Sequence, residues 1–186
     1  MKTISTPLPG VLLIEPTLFG DHRGFFLESY SAARYREAGI DVEFVQDNHS
    51  RSSQHVLRGL HFQFHYPQGK LVRVSRGSVY DVVADVRPGS PHFGQWYGVE
   101  LSDDNARQLY IPPGYAHGFQ VISDVADFEY KCTDYYHPED EGGIAWNDSL
   151  LAIAWPAAEK AIISDKDQHW GQLDQLEPSQ LPLYTQ

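Results

Sequence analysis

Gly77-Ser78-Val79-Tyr80-Asp81-Val82-Val83-Ala84-Asp85-Val86-Arg87-Pro88-Gly89 is the stretch on which the fold turns. Successive side chains of a strand point to opposite faces, which puts Val79, Asp81, Val83 and Asp85 in one row and Tyr80, Val82, Ala84 and Val86 in the other. Gly77-Ser78 leads into the run and Pro88-Gly89 ends it, so 79–86 reads as one long β-strand. From Val11 to about Tyr136, short runs rich in Val, Ile, Phe, Tyr and Leu recur between Gly, Pro, Asn and Asp, the pattern of an all-β sandwich or barrel. Further strands are expected at Phe25 to Tyr30, Val42 to His49, Val56 to Phe64, Leu71 to Arg76, Gln95 to Leu101, Gln108 to Ile111, Gly118 to Ile122 and Phe128 to Thr133. One helix is expected, with Ser31 as its cap, Ala32 to Ala38 as its body and Gly39 in the left-handed closing position. After Pro138 the chain becomes acidic and turn-rich, then passes through Trp146 and Trp155-Pro156 into a tail with short helical potential. No repeat, low-complexity block or linker divides it. The expectation is one domain over 1–186, an all-β jelly roll with a few short helices, whose interior is a common ligand site.

A chain of 186 residues is long enough to bury roughly 70% of the surface exposed by its unfolded form, so a core without staples is expected. Cys132 is the single cysteine and cannot form an internal disulfide, and Met1 to Pro7 lacks the apolar stretch of a secretory signal. A cytoplasmic location is expected. Apolar runs such as Val11-Leu12-Leu13-Ile14 fall far short of the ~20 residues of a membrane helix. The net charge of −11 argues against non-specific binding to nucleic acid or an anionic membrane surface. Against that acidity, Arg51, Arg58, Lys70, Arg73 and Arg76 cluster in one stretch, either as a local phosphate pocket or as ordinary charge on alternate strand positions.

Two segments carry the chemistry: Val56-Leu57-Arg58-Gly59-Leu60-His61-Phe62-Gln63 with Gln68-Gly69-Lys70-Leu71-Val72-Arg73, and Ile111-Pro112-Pro113-Gly114-Tyr115-Ala116-His117-Gly118-Phe119. On a strand, His61, Gln63 and His65 share one side. A neutral imidazole held by a carboxylate is a competent general base near neutral pH, and such bases contribute ~10²–10⁴-fold to rate. Asp165 and Asp167 are distant in sequence but are candidates to fold back and hold it. Lys70 follows a glycine, which leaves its ammonium free to approach a developing oxyanion. Tyr130 shares its face with Phe128 and Cys132, so its phenol points inward as a possible proton donor; Tyr135 and Tyr136 compete for that role. The bland alternatives are a satisfied structural histidine, a hairpin lysine and a core tyrosine.

Pro112 to His117 resembles the second half of the cupin metal motif, Pro-x-Gly-x-x-His. The first half fails, because His61-Phe62-Gln63 is followed by the cation Lys70, which would repel a divalent ion. A cupin-like shell without a metal fits better.

The segments Phe19 to Phe26, Phe44 to Ser50, Leu57 to Gln63, Gly69 to Arg73, Pro113 to Phe119, and Tyr130 through Trp146-Asn147-Asp148 resemble the dTDP-4-dehydrorhamnose 3,5-epimerase family. The resemblance runs from about Pro9 to Asp167. It implies a cofactor-free, metal-free jelly roll that dimerises by exchanging strands and acts on a dTDP-4-keto-6-deoxy sugar on the route to dTDP-L-rhamnose. By matching motif, His61 would be the base, Asp167 its orienting carboxylate, Lys70 the oxyanion stabiliser and Tyr130 the acid on the opposite face. The substrate shell would comprise Arg23, Glu28, Gln46, Asn48, Arg58 towards the diphosphate, His117, Glu141 and Lys166, with the Arg23 segment entering the neighbouring subunit's pocket. The chain departs from the family at Gln168-His169-Trp170-Gly171, where small residues and proline are expected, and at Tyr115, where phenylalanine is usual. Three other readings remain at this point: a mono-epimerase of a related dTDP-4-keto sugar, a metal-dependent cupin, and a non-catalytic sugar-binding jelly roll.

Overall fold

Both rows of the strand that begins after Gly77 are buried: Val79 and Val83 on one face, Val82 and Ala84 on the other. A strand buried on both sides needs a layer over each, and the computed structural model, which describes residues 1–184, supplies them. In chain order the strands are β1 (Lys2–Ser5), β2 (Leu12–Glu15), β3 (Leu18–Asp21) and β4 (Gly24–Leu27), followed by the helix α1 (Ala32–Glu37). Then come β5 (Gln46–Ser53), β6 (Val56–Gln63), β7 (Lys70–Arg76), β8 (Ser78–Ala84), β9 (Trp96–Ser102) and β10 (Gln108–Ile111). The last are β11 (Ala116–Val121), β12 (Val125–Cys132), β13 (Glu141–Gly143) and β14 (Ile162–Ile163), with short 3-10 turns between and beyond them.

One sheet runs β1-β2-β10-β7-β12-β5 and the other β13-β6-β11-β8-β9, with β14 added alongside β6; β3 and β4 form a separate hairpin. This is the jelly roll anticipated from the strand spacing. Between the sheets lies a core of Leu13, Val72, Val74, Leu109 and Phe128 from one side and Val79, Val83, Leu101 and Phe119 from the other. Each such side chain contributes ~1.5–3 kcal/mol by leaving water. The outer face of the second sheet, with Leu57, Leu60, Val82 and Ala84, is covered by Ile144, Leu151, Trp155, Leu173 and Leu181 of the C-terminal segment. α1 covers the first sheet, placing Tyr35 against Ile14, Leu71 and Tyr110. No helix among the described residues is long and apolar enough to cross a membrane.

Several boundaries differ from the sequence reading, for identifiable reasons. β8 ends at Ala84, and Asp85 closes the turn towards β9: its backbone N–H donates to Gln95 O (2.9 Å) and its carbonyl accepts from Gly94 N (2.8 Å), while its carboxylate accepts from Arg87 Nε (2.9 Å) and Ser90 Oγ (2.7 Å). β5 begins at Gln46 rather than Val42, because its register is set by pairing with β12, Cys132 opposite Gln46 through Val125 opposite Ser53. Val42 and Phe44 pack beside Tyr35 instead. β4 ends at Leu27, having only β3 to pair with. Ser31 is extended at the helix start but its side chain makes no capping bond, whereas Gly39 takes the left-handed φ of +90° as expected.

Candidate active site

A cavity of about 290 Å³ opens between the two sheets. Period-two alternation on β5 presents Gln46, Asn48 and Ser50 to it, and on β12 it presents Phe128 and Tyr130. Lys70, at the start of β7, pairs in register with Cys132 and points the same way. The opposite sheet contributes Arg58, His61, Phe62 and Gln63 from β6 and His117 from β11, and His61 and His117 stand directly opposite each other in the ladder. His61 and Tyr130 therefore reach the cavity from opposing sheets.

Arg58 and His61 are an odd number of residues apart, so a regular strand would send them to opposite faces. Both line the cavity because β6 is irregular between them: the pairing with β11 shifts register between His117 and Phe119, and Gly59 has φ of +121°. A Cβ at Gly59 would sit 2.6 Å from Gly118 Cα and 2.8 Å from His117 O, so glycine is needed both for the dihedral and for the approach.

His61 Nε2 lies 2.6 Å from Asp167 Oδ1, in a pair whose carboxylate side chain is only 3% exposed. Burial alone would push the Asp167 carboxyl up. The hydrogen bond and charge of His61, with donors from Gly59 N (3.3 Å) and Trp170 Nε1 (3.3 Å), outweigh it and hold the carboxyl below its ordinary value. An ionised carboxylate only accepts, so Nε2 carries the proton and Nδ1 is the basic nitrogen. Nδ1 is 3.8 Å from Glu141 Oε1. Burial likewise opposes ionisation of Glu141, but Lys166 Nζ (2.9 Å) and the Tyr136 hydroxyl (2.7 Å) donate to it and keep its carboxyl low.

Although Lys70 as a whole keeps some exposure, its ammonium lies deep, and burial pushes it below the usual lysine value against the favourable charges of Glu141 and Asp81. Burial pushes the Tyr130 phenol up, so it stays protonated as an acid must. Tyr136 is also raised, to about 12, but because its hydroxyl is committed to Glu141; Tyr135 is exposed. The buried His117 pairs with Asp81, 2.9 Å from Nε2 to Oδ2. Asp81 belongs to the row of Val79 and Val83, which explains a carboxylate in an inward-facing position.

Of the residues singled out from sequence, the structure gathers His61, Lys70, Tyr130, Gln46, Asn48, Arg58, His117, Glu141 and Lys166 around one cavity, with Asp167 behind His61. Arg23 and Glu28 do not line it: Arg23 is exposed on the β3–β4 hairpin and paired with Asp21, and Glu28 is 3.3 Å from Arg34. His65 leaves the His61 row, because its backbone N–H and Nδ1 turn to the buried Asp140, with Nδ1 2.6 Å from Oδ1. Arg51 and Arg73 face the other side of their sheet, on Asp127 and Glu129, so the arginine cluster divides and Arg58 and Lys70 alone of the five line the cavity. Asp165 is exposed. Sequence reasoning assigned no role to Gln68, Asp81 or Trp170; Asp81, an acid within an apolar row, carried a readable signal. Among the described residues no group of three or more His, Cys, Asp or Glu is placed to hold a metal ion.

The arrangement can remove a proton at one side of a bound ring, offset a developing anion with a buried ammonium, and return a proton from the other side. Comparison with known proteins agrees with that chemistry. The family model described as dTDP-4-dehydrorhamnose 3,5-epimerase matches residues 5–175. The Escherichia coli (strain K12) dTDP-4-dehydrorhamnose 3,5-epimerase is 54% identical over 178 residues, covering 95% of this chain and 96% of that protein. The crystal structure of RmlC from Legionella pneumophila in complex with dTDP-4-keto-L-rhamnose superposes with a TM-score of 0.96 at 53% identity, covering 100% of this chain and 99% of that one. ChmJ, a 3'-monoepimerase from Streptomyces bikiniensis solved with dTDP-quinovose, gives a TM-score of 0.90 at 34% identity, over 97% and 93% of the two chains.

Proposed function

Because the chain belongs to the dTDP-4-dehydrorhamnose 3,5-epimerase family, we infer that it inverts carbons 3 and 5 of dTDP-4-dehydro-6-deoxy-D-glucose to give dTDP-4-dehydro-L-rhamnose. The observation that carries this reading is the 2.6 Å His61–Asp167 pair facing a cavity that also holds Lys70 and Tyr130.

The hydrogens on carbons 3 and 5 both flank the 4-keto group. His61 Nδ1 takes one of them, the C–H bond electrons pass into the ring, and the keto oxygen becomes an enolate. Lys70 stabilises that oxygen, and one ammonium serves both steps because both carbanions delocalise onto it. Removing a donor of this kind costs ~3 kcal/mol of transition-state stabilisation. Tyr130 gives a proton to the same carbon from the other ring face, the enolate collapses to the ketone, and the centre is inverted. Exchange with solvent restores both groups before the second centre reacts. Asp167 holds the imidazole tautomer and balances the imidazolium. Arg58 and Lys166 suit the diphosphate, with Gln46, Asn48, His117 and Glu141 holding the remaining polar groups, and binding energy from the unreactive nucleotide fixes the ring in place.

Arg23 and Glu28 enter this reading only through a second subunit. Phe19, Phe25 and Phe26 are 62%, 66% and 67% exposed on the hairpin that carries Arg23, an apolar surface unusual for a free loop. We propose a homodimer in which this hairpin covers the partner's cavity, so that Arg23 of the partner subunit completes the site. A single domain over 1–186 working in the cytoplasm fits the lone buried thiol of Cys132. The relative ChmJ motivates a second reading, inversion at one carbon only. Incubation with the keto sugar in heavy water separates the two: deuterium at both carbons supports the 3,5-epimerase, and label at one carbon moves the assignment to a mono-epimerase. Elemental analysis tests the metal-dependent alternative, since a stoichiometric transition metal whose removal abolishes activity would overturn the mechanism above.

A further inference from the structure

We propose that Trp170 is a positioning residue for the base, its indole N–H sharing Asp167 Oδ1 with His61 so as to fix the carboxylate and moderate its pull on the imidazole. The inference rests on the reading of His61 as base and deepens it. Trp170 lies in Gln168-His169-Trp170-Gly171, the segment where the chain departs from the family pattern.

The indole is held from three directions. Its Nε1 donates to Asp167 Oδ1 at 3.3 Å, while Oδ2 of the same carboxylate takes the Gly59 N–H at 3.3 Å. Gly143, the ladder partner of His61, leaves room for it, since a Cβ there would come within 2.5 Å of the ring. Ala145 N donates to the carbonyl of Gly171 at 2.9 Å and pins the next residue. The ring also meets the His61 imidazole edge-on, with centroids 6.3 Å apart. A second N–H on Oδ1 draws charge away from the His61 hydrogen bond, so the imidazolium is less stabilised than in an isolated His–Asp pair. Without that donor the carboxylate holds the imidazolium more strongly and the base titrates at higher pH. Glu141, Lys166, His117, Arg58, Lys70 and Tyr130 also face the cavity around His61, and they are the same in wild type and variant.

Trp170→Phe keeps an aromatic ring near Gly143 and removes the N–H together with part of the indole's volume. The acid limb of its kcat/KM profile is expected to move up by roughly half a pH unit, the scale of one modest hydrogen bond, with KM on the plateau unchanged. In ¹⁵N-labelled wild type, the indole signal missing from Trp170→Phe is expected to titrate with the midpoint of that limb. His61→Asn, run in parallel, is expected to abolish solvent exchange at both carbons. Exchange surviving in His61→Asn would overturn the base reading itself. Exchange abolished there, together with a Trp170→Phe profile that superposes on wild type or an indole signal flat through the acid limb, would overturn the role of Trp170 alone.

Discussion

Replacing Asp167 with asparagine removes a charge while keeping nearly the same shape. Asp167 is 3% exposed and sits 2.6 Å from His61 Nε2, so water cannot substitute for it. Once His61 has taken a proton, the pair becomes imidazolium and carboxylate with charges centred about 4 Å apart, an attraction of about 4 kcal/mol at an effective dielectric constant of 20. An asparagine oxygen still accepts a hydrogen bond, so part of that is retained and the expected loss is ~10²–10³-fold in kcat. The assay is the rate of deuterium incorporation at carbons 3 and 5, followed by NMR in heavy water. The Asn variant is expected to bind substrate normally and to slow at both carbons in proportion, because one base serves both. Its acid limb is expected at lower pH than wild type, since the neutral imidazole no longer gains from a carboxylate on protonation. A rate within about threefold of wild type, in a variant whose melting temperature is preserved, would refute the assignment of this carboxylate to the base.

Tyr130→Phe is expected to exchange deuterium at the substrate carbons without net inversion, measured by the ratio of exchange to product; inversion at the wild-type rate would transfer the acid's role elsewhere. Lys70→Met is expected to lose ~10²–10³-fold in kcat yet melt about 2–4 °C higher, because a buried charge worth ~1 kcal/mol of destabilisation is gone. Since burial lowers the Lys70 pKa, the charged form is lost as pH rises; wild-type activity is therefore expected to fall on the alkaline side below the ordinary lysine value of about 10.4. Gly59→Ala, forced against Gly118 and His117 O at φ +121°, is expected to lower stability by ~2 kcal/mol or more and raise KM, by denaturant titration and kinetics. Phe25→Asp with Phe26→Asp is expected to yield monomers in sedimentation with weakened substrate binding.

The strands and the jelly roll were legible because short runs of strand-type residues recur between turn-forming ones, as in Val79 to Ala84, a run buried on both faces. His61 and Tyr130 were found because each sits among strand residues whose spacing assigns a face, and Lys70 because a glycine precedes it. Three features escaped the same logic. The register shift at Gly59 breaks the period and brings Arg58 round to His61's side. Asp140 captures His65 through a loop that no periodicity describes. Asp167 was named by motif, but its contact with His61 depends on how an irregular C-terminal segment crosses the sheet, and Trp170, three residues on, had no pattern to announce it. Arg23 and Glu28 were named through the family resemblance alone, and in the single chain they pair with Asp21 and Arg34 away from the cavity.

The His61–Asp167 pair joins residues 106 positions apart in the chain. On a ribosome adding ~5–20 residues per second, the imidazole is made about 5–20 s before its carboxylate. During that interval the imidazole stands without the carboxylate that fixes its tautomer. The full rate therefore waits until the strap bearing Asp167 has been synthesised and laid down beside His61.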